Sequence, residues 1–124
     1  MEDNRAKIFR DLKSELKKYA QPMVAKIDDE SHYDLWSIKD VVIGGKKRKE
    51  VYFAGLIIQS TYVGFYYMPV YGEPGMMKVF KKELRSMLKG KACFHIKKLD
   101  KTLIVQIREA LEIGYKFYKK NGWV

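Results

Sequence analysis

Cys93 and His95 stand two residues apart in Ala92-Cys93-Phe94-His95-Ile96. Alternation along a strand would turn both side chains to one side. A thiolate beside an imidazole is the chemistry of a nucleophile or of half a metal site. Zinc sites usually take four ligands, however, and no CxxC or HxxxH pattern accompanies the pair. A small buried thiol beside a half-exposed imidazole is the preferred reading. The other histidine, His32, sits among Asp28, Asp29, Glu30 and Asp34. Imidazole and carboxylates can hold iron or another divalent ion, but this spacing fits no metal motif. A solvated acidic loop is expected, with no metal ligand, cofactor or catalytic residue assigned. GxSxG, Walker A, GxGxxG and HExxH patterns do not occur.

Two further groups carry chemistry of a weaker kind. Lys78, Lys81, Lys82, Arg85 and Lys89 would share an arc of roughly 100° if residues 76–89 were helical. Such a ridge could bind an anion or the phosphates of a nucleic acid, although a solvated helix face is the simpler expectation. Lys46-Lys47-Arg48-Lys49 is a second basic run, read as an exposed hairpin tip. The aromatic set is Trp36, Tyr52, Phe53, Tyr62, Phe65, Tyr66 and Tyr67. Tyr and Trp suit surfaces with one apolar and one wet end, as in a ligand pocket or an interface between two copies. Trp36, Tyr66 and Tyr67 are the candidate walls of a ligand site, and His95 its polar handle.

The elements that must position these residues follow from periodicity. The 124 residues, 47% of them apolar, predict a single domain over 1–124 with a conventional core. A first helix is expected over Asn4–Ala20, capped by Asp3, with Ile8, Phe9, Leu12 and Leu16 buried. Pro22 stops it. Tyr33–Val42 reads as one half-buried strand, and Gly44-Gly45 as a turn. Val51–Tyr71 contains no charged residue. Gln59-Ser60-Thr61 interrupts this run, which excludes a membrane span; two strands joined at that polar turn are expected instead. Both strands are apolar at odd and even positions, so both faces of their sheet need cover. A loop at residues 71–75 leads to a second helix, Met76–Lys89, with Gly90 as its C-cap. A strand over Ala92–Lys97 follows, and then a last helix, Lys101–Lys120, capped by Asp100. The order α-β-β-β-α-β-α predicts an α+β fold: a mainly antiparallel sheet with helices packed on it.

Net charge is +10, and it is uneven. Residues 1–75 hold twelve Lys/Arg against eleven Asp/Glu, whereas residues 76–124 hold thirteen against four. An anionic partner is the natural inference. The lone cysteine and the absence of an apolar leader point to a reducing, cytoplasmic setting.

Tyr62-Val63-Gly64-Phe65-Tyr66, Leu88-Lys89-Gly90-Lys91-Ala92-Cys93-Phe94-His95-Ile96 and Leu99-Asp100 before the helix reaching Tyr115 together resemble the bacterial YdhG-like family of domains of unknown function. The likeness spans roughly residues 33–118. It implies a compact intracellular α/β domain, and one relative is described as a frataxin-like iron chaperone. No iron ligand is carried over to this chain. The leading expectation is a small non-enzymatic module that binds a small-molecule or anionic ligand on the aromatic face of its sheet, or pairs with a second copy there. Nucleic-acid binding through the basic ridge and frataxin-like iron handling are the alternatives.

Overall fold

The computed structural model describes residues 4–69, 78, 80–90 and 92–124. Helix α1 (Arg5–Leu16) begins at Asn4 and buries Ile8, Phe9, Leu12 and Leu16, the stripe expected from their spacing. Asp3, its expected cap, lies outside the described residues. A 3-10 turn over Lys17–Tyr19 tightens the helix end. The chain then forms β1 (Val24–Asp28), β2 (His32–Ser37), β3 (Val41–Ile43), β4 (Lys46–Arg48), β5 (Val51–Ile58) and β6 (Val63–Tyr67). A short helix α2 (Lys82–Arg85), β7 (Leu88–Lys89), β8 (Cys93–Ile96) and the long helix α3 (Lys101–Lys120) complete it.

Six strands make one sheet in the order β1-β2-β5-β6-β8-β7, with every neighbouring pair antiparallel. The fold is α+β. The expected strand over Tyr33–Val42 is in fact two. It breaks after Ser37, and Val42 and Ile38, 61% and 55% exposed, point to solvent rather than to a core. Strand β3 pairs with β4 in a separate ribbon, closed by Gly44 and Gly45 at φ 59° and 80°, the signs a type I′ turn demands.

The expected helix over Met76–Lys89 does not form as one element. Met76, Met77 and Val79 lie outside the described residues, and only Lys82–Arg85 is helical beyond them. Leu88 and Lys89 instead pair with Phe94 and Cys93. Gly90, at φ 82°, turns β7 into β8 rather than capping a helix. Strand pairing has overridden a helical spacing, as tertiary context commonly does. The C-terminal helix follows its expected bounds. Asp100 accepts a hydrogen bond from the Leu103 amide at 2.8 Å and so satisfies one orphan donor of the first turn.

Every described helix packs on one face of the sheet. That face carries Tyr33 and Leu35 of β2, Leu56 of β5, Val63, Phe65 and Tyr67 of β6, and Phe94 and Ile96 of β8, all buried. Phe53 reaches Tyr115 and Tyr118 of α3 edge-on, while Phe80 meets Tyr67 and Phe94. Strand β5 keeps its aim by a bulge: Leu35 pairs with Ala54 but Trp36 with Tyr52, so Phe53 is the extra residue. Both Phe53 and Ala54 are fully buried as a result, and Tyr52 shares the opposite face with Gly55. No described helix is long and apolar enough to cross a membrane.

Candidate functional site

The opposite face of the sheet bears no described helix. Cross-strand partners share a face, so the register identifies its residues. One row runs Ile27, Asp34, Gly55, Tyr66, Cys93 and Lys89 across all six strands. The next runs His32, Ile57, Gly64 and His95, and Val24, Trp36 and Tyr52 lie on the other side of the first.

Two glycines shape this surface. A Cβ on Gly55 would stand 1.9 Å from the Tyr52 hydroxyl and 2.4 Å from Asp34 Oδ1. One on Gly64 would meet the Tyr66 ring at 3.1 Å. Each tyrosine therefore fills the space over a residue that has no side chain of its own. This resolves the two-sided apolarity of Val51–Tyr71. Phe53, Leu56, Phe65 and Tyr67 take the helix side, and the other side is tiled by tyrosines resting on glycines.

Polar contacts lock the tiles. The Tyr52 hydroxyl donates to Asp34 Oδ1 at 2.8 Å, and His32 Nε2 lies 3.0 Å from Asp34 Oδ2. Burial, and next the bond to Asp34, push the Tyr52 hydroxyl far above its ordinary range; it stays protonated and donating. The Tyr66 hydroxyl is a hydrogen-bonding neighbour of Cys93 and Gln59. Burial pushes the Cys93 thiol up, the opposite of an activated nucleophile. His95 stacks on Tyr62 with ring centroids 3.8 Å apart and planes 11° from parallel. Trp36 stacks on Tyr52 at 4.8 Å, and the Lys26 ammonium stands 4.4 Å from the Trp36 ring while pairing with Glu50 at 2.6 Å.

Of the expected ligand walls, Trp36, Tyr66 and His95 are brought together on this face, but Tyr67 is not. Tyr67 is the strand neighbour of Tyr66 and therefore points the other way. It is fully buried, its hydroxyl donates to the Ala110 carbonyl at 2.5 Å, and it touches Gly114. Tyr52 and Tyr62 are the face's further aromatic groups. The alternation Tyr62-Val63-Gly64-Phe65-Tyr66, with a glycine between two tyrosines at period two, was the signal that could have separated Tyr66 from Tyr67.

The expected anion ridge is dispersed. Lys81 precedes α2 in extended backbone, Lys82 and Arg85 lie within it, Lys89 belongs to β7, and Lys78 lies ahead of α2 and apart from it. Of the five, Lys89 shares the face of Tyr66. The acidic loop is occupied with its own folding. Asp29 Oδ1 accepts from the Ser31 and His32 amides at 2.8 and 2.7 Å, and Asp28 pairs with Lys13 at 2.5 Å. Among the described residues, no three His, Cys, Asp or Glu side chains converge as a metal would require. No family model, curated protein or solved structure matches the chain.

Proposed function

We propose that the chain is a non-enzymatic binding module whose site is the sheet face that bears no described helix, and that its ligand carries a flat ring and negative charge. The observation that carries this reading is the placing of Tyr66 over Gly64, where the ring packs on bare backbone and stays only half-buried. Aromatic faces bind planar rings by offset stacking, and Lys89 in the same row supplies positive charge. The raised thiol of Cys93 argues for binding rather than chemistry. Resemblance to the YdhG-like family is in keeping with a small binding domain. Iron handling has less support, since Asp28 and Asp29 are already engaged, by Lys13 and by backbone amides.

Naphthalene-1-sulfonate, a flat monoanion, provides the test. Titrated into the labelled protein, it is expected to shift the amide resonances of β6 and β8 around Tyr66 and His95, with a Kd of about 1 mM. Tyr66→Ala should abolish those shifts, and Tyr66→Phe should keep them. Shifts confined to the cleft lined by Ile43, Arg48, Met68, Tyr118 and Trp123, or none at all, would refute the reading.

A further inference from the structure

Resting on that reading, we infer that the same face binds a short stretch of single-stranded nucleic acid, its bases stacking on the tyrosine and histidine platforms and its phosphates meeting the lysines beside them.

Length of the site is the first reason. Trp36 with Tyr52, then Tyr66, then His95 with Tyr62 lie on a diagonal from β2 to β8. Strand spacing and same-face residue spacing put its ends roughly 20 Å apart. One small molecule spans a single platform, whereas a chain of linked rings can use all three.

Charge is the second. The protein carries +10 overall. Lys89 stands in the Tyr66 row, Lys97 follows the end of β8 and Lys26 overlies Trp36. Among the described residues neither Lys89 nor Lys97 is ion-paired, and the Lys26–Glu50 pair is more than one-third exposed on both sides. Exposed pairs hold weakly, so a phosphate can draw Lys26 away and free the outer face of Trp36.

Chemistry of the platforms is the third. Asp34, the carboxylate in the middle row, is only 12% exposed and is capped by Tyr52 and His32, which leaves little of its surface open to a phosphate. The hydroxyl of Tyr52 is engaged within the protein. What the face offers outward is ring surface, which recognises every base alike and selects unpaired bases over a duplex.

Fluorescence anisotropy with labelled ten-nucleotide oligo(dT) decides the matter, read beside the naphthalene-1-sulfonate titration. Binding is expected to weaken with salt at a log–log slope of about −2, for three phosphate contacts on a single strand. Tyr66→Ala should lower affinity about 5- to 150-fold, and Tyr66→Phe should restore it. Lys89→Gln with Lys97→Gln should flatten the slope to about −0.7, whereas Lys119→Gln with Lys120→Gln, at the far end of α3, should change little. Exposed lysine variants fold whatever Tyr66→Ala does. Equal or tighter binding of a duplex, equal affinity for thymidine monophosphate, or equal loss in the α3 variant would overturn the inference. Sulfonate binding without oligonucleotide binding would sink it while leaving the proposed function standing; failure of both probes ends both.

Discussion

Gly55 is where a single atom matters most. Its absent Cβ is filled by the Tyr52 hydroxyl and Asp34 Oδ1, which are bonded to each other at 2.8 Å. Both are side-chain ends, but neither can retreat without breaking that bond. Gly55→Ala should therefore cost about 1–3 kcal/mol, the range for overpacking, as read by urea denaturation. The loss should shrink in a Tyr52→Phe background, because contacting residues are not additive. None of this was legible from residue types. A glycine inside an apolar strand reads as weak propensity until the neighbour that occupies its space is known. Tyr66 and Tyr67 teach the opposite lesson: period two alone assigns them to opposite faces, and grouping them as walls of one site overlooked it.

At the scale of elements, α1 and α3 are joined by one buried carboxylate. Glu15 accepts from Arg108 Nε and Nη2 at 3.0 and 3.2 Å and pairs with Lys18 at 2.8 Å. Those bonds, Arg108's first, hold its carboxyl below the ordinary 4.5 against the opposing effect of burial. A carboxyl depressed in the folded state adds stability that is complete above pH 4.5 and drains away as the pH falls through the folded value. The urea midpoint of the wild type is expected to fall more steeply across that acid window than that of Glu15→Gln. Parallel curves would show that the clasp contributes nothing. The long periodic stripes of α1 and α3, and the Asp100 cap of α3, were readable from sequence. Strand β1 was not, because its five residues become a strand only by pairing with β2. The helix expected over 76–89 failed for the same reason: β8 competes for Leu88 and Lys89.

For the whole molecule, charge is the dominant variable. A balance of +10 repels itself in the compact state. Raising the salt from about 0.01 to 0.15 M shortens the screening length from about 30 to about 8 Å. The thermal midpoint should rise over that range, since the exposed ion pairs lost to screening are worth little. A falling midpoint would mean that local pairing, such as Lys7–Asp11 or Lys116–Glu112, outweighs the global repulsion. The α+β class and the helix-covered face were foreseeable from the apolar run and the helix stripes together. The hairpin of β5 with β6 was legible at its polar turn, whereas the pairing of β6 with β8 crosses a long stretch of sequence that no local pattern encodes.

The two outer strands have a consequence of their own. An outer strand offers unpaired amides and carbonyls to any passing chain, and natural sheets blunt it with bulges, lysines or brevity. Strand β1 has an irregularity between Ala25 and Ile27, with Lys26 at that point. Strand β7 is two residues long and ends in Lys89. Both rims are thus poor templates for strand addition, so a sheet with one broad side bare of any described helix is guarded against fibre growth and left to meet other molecules through that side.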